Sequence, residues 1–124
     1  MSVSYMPRDP KFYLHDIVKH IERIEKTIVG LDYNTFLKDQ DKIDIVDANM
    51  GKIGEAIRVL DKFPKVRDQF YHYHVPVKKL INIRKVLIHE YFSLDIEGLW
   101  QTANEILALK PKFEKILDAL DKKE

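Results

Sequence analysis

Between Arg84 and Tyr91 the chain reads Arg-Lys-Val-Leu-Ile-His-Glu-Tyr, which sets a guanidinium, an imidazole and a phenol within about two helical turns. A guanidinium offers a fixed cation to a phosphate, and an imidazole exchanges a proton near neutral pH. Together these are the two requirements of phosphodiester cleavage. Arg84 and His89 are therefore the candidate catalytic pair, with Tyr91 lining the same stretch. Each residue type also has a plainer use. Taken singly, His89 fits an exposed or hydrogen-bonded structural histidine more often than a catalyst, and Tyr91 fits an amphipathic packing residue. Arg84 divides evenly between a structural ion pair, for example with Glu55, and a ligand contact.

The element that must hold these groups is a helix predicted from Pro76, a residue suited to a first helical position, through Phe92. Stepping 100° per residue, roughly the turn of an α-helix, Lys78, Asn82, Lys85 and His89 share one polar arc, with Lys79 and Glu90 beside it. Val77, Leu80, Ile83, Leu87, Ile88 and Phe92 form the opposite, apolar arc. Arg84 breaks this pattern, because it falls between Leu80 and Ile88, with Tyr91 at nearly the same angle. An unpaired buried arginine is expensive, so Arg84 must meet an acid or face a cleft. His89 sits about 140° around the axis from Arg84, too far for one straight helix to aim both at one phosphate. A helix that ends near His89, or a second subunit, would let them converge. The simplest solution is a homodimer with its two-fold axis through or beside this helix.

Apolar residues at helical spacing place the remaining elements. Leu14, Ile17, Val18, Ile21, Ile24 and Ile28 predict a first helix over Pro10 to Val29, stopped by Gly30. Leu31 to Asp41 reads as a connection with a short turn packed by Tyr33 and Phe36. Ile43, Val46, Met50, Ile53, Ile57 and Leu60 carry a second helix interrupted by Gly51 and Gly54. An interior glycine costs roughly 1 kcal/mol against alanine, so close approach of another helix is its plain explanation. Glu55, beside Gly54 and flanked by Ile53, Ala56 and Ile57, is expected to face that interhelical space and pair with Arg84.

Pro64 is expected to end the second helix or lie just beyond it, and Lys65 to Val75, with Phe70, Tyr71, His72, Tyr73 and His74, reads as an aromatic strap. Asp95 can cap a helix on Ile96, Leu99, Trp100, Ala103 and Leu107, and Pro111 opens a last one on Phe113, Ile116, Leu117 and Leu120. Alternation at period two is absent over any useful length. The expectation is an all-α fold: an antiparallel helical bundle of about four long helices plus a short C-terminal helix.

Composition narrows the function. The 124 residues suit one domain spanning 1–124, long enough for a real core and too short for two ordinary domains. Lys plus Arg total 21 and Asp plus Glu 20, so a net charge of +1 gives no global attraction to nucleic acid and any RNA contact must be local. Without cysteine, disulfides and thiolate chemistry are excluded. The opening MSVSYMPRDP has no signal-like apolar run and no stretch is long enough to span a bilayer, so a soluble, cytoplasmic protein without a membrane partner is expected. His15 and His20 lie on different faces of the first helix and His72 and His74 lie close in the strap, but nothing in the sequence brings the four imidazoles together, so no metal site and no cofactor are expected.

Arg84, four residues, His89, one residue and Tyr91 match the motif of the HEPN superfamily of small helical proteins. The surroundings resemble the HepT family, the toxin half of the HepT–MntA toxin-antitoxin system. Ile53-Gly54-Glu55-Ala56 resembles its second-helix signature, and Val75-Pro76-Val77 with Leu80 through Arg84 its approach to the motif. Phe92 through Asp95 with Trp100 resembles the family's segment after the motif, and Leu14, Asp16 and Ile17 with Phe36-Leu37 its opening. Three positions depart from the family pattern: Lys85 stands where asparagine is common, Val77 where tryptophan is frequent, and Asn82 where glycine is frequent.

The resemblance implies a HEPN-like fold and metal-independent endonucleolytic cleavage of RNA. In that reading His89 is general base or acid around attack by the ribose 2'-hydroxyl, and Arg84 stabilises charge on the phosphorane oxygens. Glu55, Asn82 and Lys85 support the site. Tyr91 resembles the acceptor to which an MntA-like nucleotidyltransferase antitoxin transfers AMP, blocking the nuclease. The alternative is a non-catalytic nucleotide- or substrate-binding subunit of a nucleotidyltransferase complex, in which Arg84 and Lys85 hold phosphate without chemistry.

Overall fold

The computed structural model describes residues 9–83 and 94–122. The regular elements among them are seven helices: α1 (Pro10–Ile28), α2 (Tyr33–Leu37), α3 (Gln40–Leu60), α4 (Pro64–His72), α5 (Val77–Ile81), α6 (Ile96–Leu107) and α7 (Lys110–Lys122). Aspartates start four of them. The side chains of Asp9, Asp32, Asp39 and Asp95 accept from the backbone N–H of Lys11, Thr35, Lys42 and Gly98, groups that the first turn of a helix leaves without partners. At Asp32, the hydrogen bonds from Thr35 hold the carboxyl below its usual range. Gly30 follows α1 in the left-handed region, at φ 75°, where a side chain would be strained.

The core rests on two stripes. Leu14, Ile17, Ile21 and Ile24 of α1 are sealed from solvent against Ile43, Val46, Met50, Ile53 and Ile57 of α3. Their spacing of three and four keeps each stripe on one face. The two helices run antiparallel, since His20 meets Asn49 while Tyr13 and Asp16, nearer the start of α1, share a groove with Ala56 and Val59, nearer the end of α3. Helix α7 runs antiparallel to α1 as well: Lys11 pairs with Asp121 at one end and Lys110 with Glu22 at the other. Phe36 of α2 packs on Trp100 of α6 with ring centroids 5.0 Å apart, and Phe70 of α4 meets Phe113 of α7 edge-on at 6.1 Å.

Several sequence expectations need correction. Pro64 lies just beyond α3, as expected, but it also begins a helix: the segment expected to be a strap is α4, with Pro64 in its first turn and Val66 and Phe70 buried one turn apart. Only the inner edge of the aromatic run is core, because Tyr71 is exposed. The turn around Tyr33 and Phe36 is the short helix α2. Of the long helix expected from Pro76 through Phe92, the start is α5, which stops at Ile81 with Asn82 as its C-cap, and residues 84–92 lie outside the described residues. The final helix, at 13 residues, is longer than the short element expected.

Gly54 bears out the close approach inferred from its position. A Cβ placed there would lie 2.6 Å from the carbonyl oxygen of Leu80, so α5 docks on α3 backbone to side-chain-free backbone. Helix propensity alone would make Gly54→Ala stabilising by roughly 1 kcal/mol. The clash with a backbone oxygen reverses that sign: thermal and urea unfolding of the variant should show a net loss of about 1–3 kcal/mol. Equal or higher stability would mean α5 shifts freely.

Candidate functional site

Arg84, Lys85, His89 and Tyr91 lie outside the described residues, so the site is built from what carries the chain to them. Helix α5 buries Leu80 against α3, and Ile83, 3% exposed, seats on the same surface, 3.6 Å from where a Gly54 Cβ would stand. Lys78, Lys79 and Asn82 face solvent. The apolar and polar arcs expected for this segment therefore hold as far as Ile83.

Asn82 changes the geometry. Its backbone leaves helical values, at φ −96° and ψ 12°, while its side-chain amide donates to the carbonyl of Lys78 at 3.0 Å. Asparagine does this readily, satisfying a last-turn carbonyl and letting the helix stop. Angles counted along one straight helix from Lys78 therefore lose their reference at Asn82.

Glu55 is not where it was expected. Its side chain is 63% exposed and its carboxylate lies 3.1 Å from Arg58, one turn along the same helix. The reason is rotational: Gly54 occupies the position turned toward α5, and one residue further the helix has swung by about 100° toward α1. Glu55 instead rims a groove between α1 and α3, about 220 Å³, with Tyr13, Asp16, His20, Lys52, Ala56 and Val59.

At the floor of that groove lies a polar cluster that sequence reasoning passed over. His20 is 6% exposed; its Nδ1 lies 2.8 Å from Oδ1 of the buried Asn49 and its Nε2 3.4 Å from Asp16 Oδ2. The signal was present in the chain: His20 and Asn49 each interrupt an otherwise apolar stripe, and both stand near the middle of their helices. His15, expected on a different face, is exposed. A second depression of about 220 Å³ opens beside α5, where Lys79 pairs with Glu105 over Leu80, Thr102 and Ile106. Among the described residues no group of three or more His, Cys, Asp or Glu side chains converges as a metal site, and no helix is long and apolar enough to cross a membrane.

A family model described as "Ribonuclease HepT-like" matches residues 17–120. A relative from Methanocaldococcus jannaschii, named "Putative RNase", is 36% identical over 118 residues, covering 94% of this chain and 97% of its own. A second from the same organism, with the same kind of name, is 34% identical over 119 residues and is covered to 94% on each side. A third from Thermococcus cleftensis, named "Probable ribonuclease HepT", is 35% identical over 113 residues, covering 90% of this chain and 98% of its own. No solved structure matches significantly.

The His20–Asn49 bond makes a test of the groove floor. Asn49→Leu leaves the buried Nδ1 of His20 without a hydrogen-bond partner, which costs about 1–3 kcal/mol. Urea unfolding should show that loss, whereas Glu55→Gln, at an exposed position, should stay within about 0.5 kcal/mol of the parent.

Proposed function

Because the chain belongs to the HepT-like ribonuclease family, we propose that it is a homodimeric RNA endonuclease toxin that cleaves phosphodiesters with Arg84 and His89. The observation that carries this reading is the family match across residues 17–120, which contains Arg84, His89 and Tyr91 at the motif's spacing. Each side chain has one task. His89 takes the proton from the ribose 2'-hydroxyl or returns one to the leaving 5'-oxygen, and Arg84 stabilises the charge that builds on the phosphorane oxygens.

The nucleophile is internal to the RNA, so the product is a 2',3'-cyclic phosphate and a strand lacking the 2'-hydroxyl is not cut. Lys85 adds a second cation beside the phosphate. The structure supports the reading at one remove: the close contact of Gly54 with Leu80 seats α5, the element that leads into the motif. A second subunit contributing its own pair to a shared cleft completes the arrangement.

Regulation uses Tyr91. Transfer of AMP from ATP to its hydroxyl by an MntA-like nucleotidyltransferase antitoxin, with pyrophosphate as the leaving group, places a negative charge and a bulky nucleotide next to Arg84 and His89. An incoming RNA phosphate is then repelled. The protein's own near-neutral balance gives RNA little general attraction, so binding is carried by a few phosphate contacts and falls with added salt.

Purified protein should cut single-stranded RNA in the presence of a metal chelator, leaving cyclic phosphate ends. His89→Ala should lower the rate by about 10²–10⁴-fold with its helical circular dichroism unchanged. Folded wild-type protein that leaves varied RNAs intact, yet binds nucleotide or a nucleotidyltransferase tightly, would favour the binding-subunit reading instead. For control by the antitoxin, incubation with nucleotidyltransferase and ATP should add the mass of AMP to the wild type and silence it. Tyr91→Phe should gain no mass and stay active.

A further inference from the structure

The cluster of Asp16, His20 and Asn49 has a proton arrangement that its hydrogen bonds dictate. Asn49 Nδ2 donates to the backbone carbonyl of Ile45 at 2.8 Å, which fixes the carboxamide and turns Oδ1 toward His20. Flipping the amide would set Oδ1 against the Ile45 oxygen, two acceptors face to face. Since Oδ1 can only accept, His20 Nδ1 must carry a hydrogen. The other ring nitrogen, Nε2, faces the Asp16 carboxylate at 3.4 Å, a contact that is attractive only while Nε2 also carries a proton.

We infer that His20 is a proton-operated clasp between α1 and α3, closed on Asp16 when the ring holds two protons and released from it when the Nε2 proton leaves. The proton departs to solvent through the groove. The Nδ1 hydrogen stays, because Asn49 cannot turn. Neutral His20 is therefore the Nδ1–H tautomer, the opposite of the form that a histidine side chain favours in water. Its Nε2 then presents a lone pair to the groove floor, and Asp16, part-exposed at the edge, turns away from it. The groove changes from a compensated pair to one unbalanced carboxylate and an acceptor nitrogen.

The charged and titratable groups lining that groove are Tyr13 and Asp16 from α1 and Lys52 and Glu55 from α3. Glu55 is held by Arg58, and Asp16 is the one acid in contact with the ring among the described residues. The clasp thus answers to Asp16 and Asn49 directly and to Lys52 through space. It stands apart from the nuclease reading and does not depend on it.

The test is a two-bond nitrogen–proton correlation spectrum of the histidine rings in ¹⁵N-labelled full-length protein, tracked with pH, with His20→Gln identifying the signal. At alkaline pH His20 should show a protonated Nδ1 and a bare Nε2, while exposed His15 shows the reverse. A neutral His20 with its proton on Nε2 would overturn the inference. Asn49→Asp keeps an acceptor and should preserve the unusual tautomer; Asn49→Leu, if it folds, should lose it. The Asp16 carboxyl carbon shift should move in step with the His20 ring. An Asp16 carboxyl shift with no step where the His20 ring signals change would overturn the release of Asp16.

Discussion

Antiparallel packing of the α1 stripe on the α3 stripe is the constraint from which the rest of the molecule hangs. Leu14, Ile17, Ile21 and Ile24 remove from water an apolar face that His20 interrupts, and α3 supplies the matching surface. Because α3 is contacted by α1, α2, α5 and α6, its rotation about its own axis fixes where each of the others can sit. The consequence is local as well as global. Gly54 and Glu55 are consecutive, yet one meets the backbone of α5 and the other opens onto the α1 groove.

Two polar residues inside this interface set it apart from a plain hydrophobic seam. Burying an imidazole and a carboxamide is unfavourable unless they satisfy each other. Here the His20 ring, the Asn49 amide and the Ile45 carbonyl form a chain in which each group has a partner. Among the described residues no buried side-chain nitrogen or oxygen is left without one. A hydrogen bond in this position favours one axial register of α1 against α3, because sliding either helix would strand both polar groups, whereas isoleucine on isoleucine tolerates a slide.

Ion pairs do a different job at the periphery. Lys110 lies 3.0 Å from Glu22, and that hydrogen bond raises the lysine pKa, but the pair is open to solvent and screened. With Lys11 and Asp121 at the opposite end it orients α7 along α1, while Phe113, Ile116 and Leu117 supply the burial. Direction comes from charge and adhesion from apolar area.

The four periodic stripes, the aspartate cap at residue 95, the stop at Gly30 and the close approach at Gly54 were legible in the chain, because each rests on local stereochemistry or on spacing within one element. Residue type marked out Arg84 and His89, and the resemblance to a known motif joined Tyr91 to them. Helix α4 was obscured because a crowd of aromatics masked the plain spacing of Val66 and Phe70, and Pro64 can stop one helix or start the next with equal ease. Tertiary structure alone decided that Glu55 opens onto the α1 groove, that the backbone meeting Gly54 is that of Leu80, and that His20 finds Asn49 across 29 positions of sequence. The physical reason is common to all three. Periodicity states which face of a helix is apolar, but which neighbour covers that face, at what height and rotation, is fixed only when the helices compete for the same buried surface.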